Sequence, residues 1–428
     1  MTDSDPRSIP SEIGPYVLSQ QIGSGTFASV WKGRHKILGN NIAIKAIPKN
    51  NLTDSQKVTR FAREVNLLKQ MDHPMISQLY SVMENDHYHF LIMEYVENGD
   101  LLSFVNKNGK LIDPIARRYF MQLISVLEYL HKEKKIAHRD LKAENIMLDR
   151  YYNIRVIDFG LSNSFSDEKP DLNTACGSPA YVPPEMIKGQ PYTSAADIWS
   201  AGILLYAITV GKLPFEDRNM QTMLHYIVNA KPVFPPFISS ALADLITKML
   251  IKNPQERITL DRIKEHPWFS PMEYNNIISF SKKSLELPDG KLSLESEYYC
   301  DPEIVPQMSI YGIDTSLLKQ KLLLSEYDET TAIYRILKRE KLTEDMKNIS
   351  RNKIDRKSTV QNATPQPSQT TNFINIPSAI VAKQGTTRRI MKDNIPNPAI
   401  PIAIPTPRIV TARQNNERSH SVKWEQKA

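Results

Sequence analysis

His138-Arg139-Asp140-Leu141-Lys142-Ala143-Glu144-Asn145, followed eighteen residues after Asp140 by Asp158-Phe159-Gly160, is the stretch on which the reading of this chain turns. In-line phosphoryl transfer needs charge neutralised at a nucleotide and a nucleophile held in line. Asp140 is suited to accept the proton of a hydroxyl nucleophile. Asn145 and Asp158 offer hard oxygen ligands of the kind Mg²⁺ takes beside phosphates and water. Lys142 is suited to neutralise charge building on the transferred group. Each residue alone is unremarkable, but both motifs in this order and at this spacing are a specific signal.

Upstream, Ile42-Ala43-Ile44-Lys45 reads as a strand, and Glu64 lies 19 residues after Lys45 on a segment whose apolar positions Phe61, Val65, Leu68 and Met71 have helical spacing. A buried cation needs a partner, and a Lys45–Glu64 ion pair would hold the lysine against the α- and β-phosphates. On spacing alone, two solvated surface charges fit as well. Further upstream, Gly23-Ser24-Gly25-Thr26-Phe27-Ala28-Ser29-Val30 sits between two expected strands. That placement disfavours a dinucleotide-binding turn and favours a hairpin flap over phosphates, although such a loop by itself is more often a plain turn. Gly23 and Gly25 let the backbone approach an oxygen closely. Ala28 stands where a third glycine is usual and stiffens the flap slightly.

Outward from these motifs the chain organises itself. Tyr16–Ile22, Ser29–His35 and Asn41–Ile47 read as strands, then comes the helix ended by Asp72-His73-Pro74, then strands near Ile76–Val82 and His89–Met93. After Asn98-Gly99 the pattern is helical to Trp268, with Ile115, Tyr119, Leu123, Leu127 and Leu130 on one stripe and a hairpin at Ile146–Leu148 and Ile154–Ile157. The fold class is therefore α+β, a small β-rich lobe before a larger helical one, with a cleft between them. Residues 1–15 are an N-terminal extension, 16–269 the main domain, 270–300 a linker, and 301–342 a small helical module with two amphipathic segments (Leu317, Leu318, Lys321, Leu322 and Ala332, Ile333, Ile336, Leu337). A unit so small needs to dock on its neighbour. Residues 343–428 are polar, basic and rich in proline and read as a disordered tail.

Bulk properties exclude several classes. The chain of 428 residues is 41% apolar and 24% charged, ordinary for a chain with a large core. Its net charge is +7, and from Lys347 onward 14 Lys or Arg face 4 Asp or Glu, a net of +10, so residues 1–346 carry −3. The basic charge belongs to the tail, which argues against a folded nucleic-acid-binding face. Two cysteines, Cys176 and Cys300, form no metal or redox motif and fit a reducing compartment. Met1–Glu12 has no apolar core of a signal peptide, and the apolar run Ile198–Val210 is too short for a membrane span, so a cytoplasmic location, with the nucleus as an alternative, is expected.

From about Tyr16 to Phe269 the chain resembles a protein kinase catalytic domain, and Lys142 followed by Glu144 and Asn145 resembles the serine/threonine class. The resemblance implies a bilobal kinase fold, ATP and Mg²⁺ as cofactors, and transfer of the γ-phosphoryl group to serine or threonine of a protein. It implies catalytic roles for Asp140, Lys142, Lys45 and Glu64, and metal ligation by Asn145 and Asp158. It places ATP under Ile22, Gly23, Ser24, Gly25 and Val30, with Ala43 and Met147 around the adenine, Met93 as gatekeeper, Glu94 and Val96 at the hinge, Asp100 at the ribose, and Lys45 and Asp158 at the phosphates. Leu68, Leu79, His138 and Phe159 resemble the hydrophobic column of active kinases. Asp197 resembles the aspartate that braces the catalytic loop, and Glu185 and Arg257 a structural ion pair. Pro183 and Ala143 depart from the common alanine and proline without removing a catalytic group. Asp158 through Asn163 and Thr174 through Pro179 resemble AMP-activated protein kinase catalytic subunits. His138 through Asn145 is closer to the microtubule-affinity-regulating kinases, within the wider calcium/calmodulin-dependent-kinase-like group. Both follow the catalytic domain with a ubiquitin-associated-like module, matched in position by 301–342.

The same resemblance implies regulation by phosphorylation of Thr174, through an upstream activating kinase, with the new charge held by Arg139 and Arg60. Glu97, Asp100 and Glu144 near the cleft favour substrates with arginine before the phosphoacceptor; solvated surface charge is the plainer reading. Thr411 and Ser421, each three residues after an arginine, are candidate autophosphorylation sites, and the basic tail suits an acidic membrane surface or acidic partners. The competing function is a catalytically inactive scaffold, whose sign would be loss of Lys45, Asp140, Asn145 or Asp158; all four are present.

Overall fold

A computed structural model describes residues 9–25, 27–159, 163–164, 179–190, 193–285 and 300–347, with the backbone alone at 163–164, 271 and 282–285. All of them lie in the unit Met1–Ile376. The first lobe is an antiparallel sheet of β1 (Glu12–Ile13), β2 (Tyr16–Ser24), β3 (Ser29–His35), β4 (Asn41–Pro48), β5 (Leu79–Glu84) and β6 (Tyr88–Glu94), in the order β1-β2-β3-β4-β6-β5. Helix α1 (Ser55–Gln70) interrupts it in sequence. Asp54 caps α1 by accepting from Gln56 N at 3.0 Å, and Val65 and Leu68 are its buried residues.

Period-two alternation in β4 decides what the two faces of the sheet do. Ile42, Ile44 and Ala46 are buried, together with Phe90 and Ile92 of β6, in a cluster that includes Ile13, Tyr16 and Tyr80. The intervening Ala43 and Lys45 are half-buried. The register sets Val30 opposite Lys45 and Ala43 opposite Met93, so these four side chains share the other face. A slip of one residue would exchange the faces and bury the lysine among isoleucines.

The second lobe comprises α2 (Leu101–Asn108), α3 (Asp113–Glu128, running into a π-turn at Tyr129–Lys134), β7 (Ile136–Ala137), β8 (Ile146–Leu148), β9 (Ile154–Val156) and β10 (Asn163–Ser164). It continues with α4 (Pro184–Ile187), α5 (Ser194–Val210), α6 (Met220–Asn229), α7 (Ser240–Met249), α8 (Leu260–Lys264) and α9 (Pro271–Leu285). Every residue of α5 from Ala196 to Val210 is buried, which is why the run is apolar on all sides rather than amphipathic. Short antiparallel pairs, β8 with β9 and β7 with β10, frame the loop 138–145.

Two boundaries differ from the sequence reading. The stretch 270–300 read as a linker begins as α9, because Tyr274, Ile277 and Ser281 recur at helical spacing and bury against the lobe. The third module helix runs past 342: α10 (Ile304–Ile310), α11 (Leu318–Leu323) and α12 (Glu329–Asp345) form the module, with Thr343 and Met346 buried. Residues 286–299 lie outside the described residues, and so do residues 348–428, the rest of the stretch read as a disordered tail.

The module docks on the sheet face opposite Lys45. Ala332 and Ile336 of α12 belong to the buried cluster of Ile42, Ile44, Phe90 and Ile92. A fully buried isoleucine contributes about 1.5–3 kcal/mol, so Ile336 alone gives the docking a substantial apolar term. No helix among the described residues is long and apolar enough to cross a membrane.

Candidate active site between the lobes

The cleft is assembled from the shared face of β3, β4 and β6 above and from the 138–145 loop and the β8–β9 hairpin below. Gly25 N donates to Ala28 O at 2.9 Å and closes the glycine-rich turn; Thr26 lies outside the described residues. Ile22 is exposed above the cleft, while Val30, Ala43, Met93 and Met147 are half-buried. Val96 is buried, and Asn98 N donates to Leu148 O at 2.9 Å, tying the segment that connects the lobes to the hairpin.

Lys45 Nζ lies 2.7 Å from Glu64 Oε1, with the two side chains 26% and 15% exposed. This settles the alternative left open by spacing: the charges form a pair, not two solvated groups. Burial disfavours the Lys45 ammonium, but Glu64 and then Asp158 more than offset it, and its pKa is raised. The pair holds because strand register turns Lys45 to the cleft while α1, anchored by Val65 and Leu68, presents Glu64 to it.

Below, Lys142 Nζ lies 2.7 Å from Asp140 Oδ2. Asn145 Nδ2 donates to Asp140 O at 2.8 Å and to Asp140 Oδ2 at 2.9 Å, which leaves the Asn145 amide oxygen as its group for a hard cation. Ile157 N donates to Asn145 O at 2.9 Å, so Asn145 and the neighbouring Asp158 are held in one frame. Asp158 (φ 63°) and Arg139 (φ 67°) both occupy the left-handed region. Such backbone is costly outside glycine, on the order of 1–3 kcal/mol, and persists where surroundings over-determine it. The Asn145 and Asp158 oxygens are two hard ligands, and Asp158 acts on Lys45; such a donor pair fits Mg²⁺ carried on a nucleotide, with phosphate and water as the remaining ligands.

The surroundings are buried. Asp197, fully buried on α5, accepts from His138 N at 2.9 Å and Arg139 N at 3.0 Å and lies 2.7 Å from His131 Nε2. His138 Nδ1 accepts from Asp140 N at 3.3 Å, so its proton sits on Nε2, 3.3 Å from Ile157 O. The His138 and Phe159 rings are 5.0 Å apart, and Leu68, Leu79 and Phe159 share one buried cluster. Glu185 and Arg257 form a two-pronged buried pair at 2.7 and 2.8 Å.

At the mouth, Asp100 caps α2: its carboxylate accepts from Ser103 N and Ser103 Oγ, both at 2.7 Å. Glu97 is exposed. Glu144 is half-buried, its Oε2 is buried without a hydrogen-bond partner among the described residues, and burial pushes its pKa up from 4.5. Gly160, Thr174 and Cys176 lie outside the described residues.

Sequence reasoning missed what stands behind Glu94. Its side chain turns away from the cleft into a cluster where Oε1 is 2.9 Å from Arg155 Nε and Oε2 is 2.7 Å from Arg339. Arg155 also lies 3.0 Å from Asp149 and 3.2 Å from Thr343 Oγ1. Burial would raise the Glu94 pKa, but Arg339 and Arg155 hold it below 4.5. Signals existed: Arg155 interrupts the apolar strand Ile154-Arg155-Val156, and Arg339 falls on the Ala332–Ile336–Thr343 stripe of α12.

The family model of the protein kinase domain matches residues 16–269. A probable serine/threonine-protein kinase of Dictyostelium discoideum is 37% identical over 332 residues, covering 77% of this chain and 39% of that protein. Serine/threonine-protein kinase SIK2 of Gallus gallus is 34% identical over 77% of this chain and 40% of its own length. The SNF1-related protein kinase catalytic subunit alpha KIN12 of Arabidopsis thaliana is 35% identical over 75% of this chain and 63% of its own. The chain thus spans between 39% and 63% of the length of these relatives.

Proposed function

The chain belongs to the protein kinase domain family, and from that premise we propose that it is a serine/threonine protein kinase that transfers the γ-phosphoryl group of ATP to protein serine or threonine. One observation carries this reading: the Lys45–Glu64 pair, at 2.7 Å, coexists with the Asp140–Lys142–Asn145 cluster and with Asp158 close enough to raise the Lys45 pKa. Such a grouping of charges supports the phosphoryl-transfer reading.

In this mechanism Lys45, steadied by Glu64, binds the α- and β-phosphates. Gly23, Ser24 and Gly25 cover them, while Ile22, Val30, Ala43 and Met147 enclose the adenine beneath Met93. Backbone groups of Glu94 and Val96 hydrogen-bond the base, and Asp100 meets the ribose. Asp140 receives the substrate hydroxyl's proton at its carboxylate. Lys142, 2.7 Å from that carboxylate, neutralises charge on the transferred group. Asn145 and Asp158 hold Mg²⁺, which supplies neutralisation of phosphate charge when bound. Asp197 fixes the loop backbone so that Asp140 is positioned before the substrate arrives.

Substrate choice and control complete the proposal. Glu97, Asp100 and Glu144 near the mouth of the cleft are carboxylates suited to receive an arginine placed before the phosphoacceptor. Phosphorylation of Thr174 by an upstream kinase orders the activation segment through Arg139 and Arg60. The helices Ile304–Ile310, Leu318–Leu323 and Glu329–Asp345 are read as a ubiquitin-associated-like module. The site of action is read as cytoplasmic or nuclear. The test is a labelled-ATP assay with Mg²⁺ and an arginine-containing serine peptide, comparing wild type, Asp158→Asn and Thr174→Ala after treatment with an activating kinase. Transfer lost in Asp158→Asn and reduced in Thr174→Ala is expected. No transfer by the phosphorylated wild type would move the reading to an inactive scaffold.

A further inference from the structure

Between the end of α1 and the docked module lies a cavity of about 180 Å³, bordered by Lys69, Asp72, Tyr327, Tyr334, Arg335 and Lys338. It is separate from the cleft and plays no part in the chemistry above. Its walls are basic, and Asp72 is the single carboxylate among the lining residues. Asp72 is already committed, 3.3 Å from Lys338. Arg339, deeper in the wall, is consumed by Glu94 at 2.7 Å.

Lys69 and Arg335 are left over. Neither forms an ion pair with a carboxylate among the described residues. Both instead lie against the ring of Tyr327, the guanidinium at 3.7 Å and the ammonium at 5.2 Å from its centroid. Arg335 otherwise reaches backbone oxygens, Glu326 O at 2.8 Å and Tyr80 O at 3.5 Å. The tyrosine is pinned at both ends: its hydroxyl donates to Lys69 O at 2.7 Å, and its carbonyl accepts from Ser81 Oγ at 2.9 Å. Burial lowers the Arg335 pKa, since desolvation outweighs the opposing influence of Tyr327, Asp328 and Asp72. Two cations from two different parts of the fold therefore meet at a rigid aromatic wall, over an open volume, with their charge unneutralised.

We propose that this cavity binds a small phosphate-class dianion, inorganic phosphate or the phosphate group of a small metabolite, bridging Lys69 of α1 to Arg335 and Lys338 of α12. Arginine's planar fork suits a tetrahedral oxyanion, and a lysine adds a point charge. The volume suffices for the anion with water, each water needing about 30 Å³. Because the ligand joins the small lobe to the module, its binding stabilises the docked arrangement by mass action. It stands whether or not the catalytic reading holds.

The test titrates inorganic phosphate into the full chain by calorimetry, with chloride exchanged to keep ionic strength constant. Saturable binding is expected, weakened roughly tenfold or more in Lys69→Gln and in Arg335→Gln, each of which removes a charge-assisted hydrogen bond. Asp72→Asn, which removes the only carboxylate of the wall, is expected to bind more tightly, a gain that misfolding does not produce. Lys107→Gln, exposed on α2, is the unchanged control. Glycerol 3-phosphate run in parallel separates the two sources: tighter binding than inorganic phosphate points to an organic phosphate, equal binding to the free ion. Absence of saturable binding, or equal affinity in wild type, Lys69→Gln and Asp72→Asn, overturns the proposal. Should Arg335→Gln release the module, the two small-lobe variants still decide.

Discussion

Replacing Arg339 by alanine removes one of the two guanidinium groups that hold the buried Glu94. In the wild type, Glu94 and Asp149 face Arg155 and Arg339, a cluster of two negative and two positive charges, and Glu94, Arg155 and Arg339 are 8%, 0% and 4% exposed. Arg339→Ala leaves it one charge short. It also strips the donors that reach Ile76 O and His73 O. Breaking a buried ion pair by deleting one partner costs about 3–5 kcal/mol, because the remaining charge stays buried. That is a large part of the roughly 5–15 kcal/mol that stabilises a typical domain. The loss falls first on the docking of α12, so amides of 329–345 should exchange faster by about two to four orders of magnitude, and the denaturant midpoint should fall. Combined with Glu94→Gln, the cost should be smaller than the sum of the single losses by about 0.5–3 kcal/mol. The pH dependence follows the same pair. The Glu94 pKa is depressed below 4.5, so its contribution is fully present above that value and is lost as pH falls from 4.5 through the lower folded pKa. A loss below about 1 kcal/mol, with additive single costs, would mean that the cluster is hydrated and would refute the reasoning.

Three further outcomes are expected. Glu64→Gln keeps the shape of α1 but removes the carboxylate 2.7 Å from Lys45, and kcat/KM should fall on the order of 10²-fold with little change in melting temperature. Asp197→Asn removes the buried charge that receives two backbone donors of the 138–145 loop and faces His131; it should cost about 3 kcal/mol by chemical denaturation and most of the phosphotransfer in the labelled-ATP assay. Gly202→Ala on α5 puts a Cβ 2.9 Å from Met249 Cβ and 3.1 Å from a Leu250 methyl; overpacking should destabilise by about 1–3 kcal/mol, read by urea unfolding, despite alanine's better helix propensity.

The clustering of polar residues in the cleft was legible because residue type and short-range spacing are constrained together there. Asp140, Lys142 and Asn145 are fixed within one loop, and Asp158 follows across a single hairpin, so their proximity is written in the order of the chain. Lys45 and Glu64 were legible as candidates only: alternation and helical spacing gave each a face, and strand register made the faces meet at 2.7 Å. Tertiary structure alone decided the rest. Whether Glu94 looks into the cleft or away from it, and which cation neutralises Arg155's partners, depend on contacts between segments as much as 245 residues apart in the chain. Local patterns predict the buried face of a helix but not what it is buried against. So the amphipathic stripe of 332–337 predicted a docking helix, while the sheet face beneath it, the Glu94–Arg339 pair and the basic cavity at its edge exist only because the chain folds back on itself.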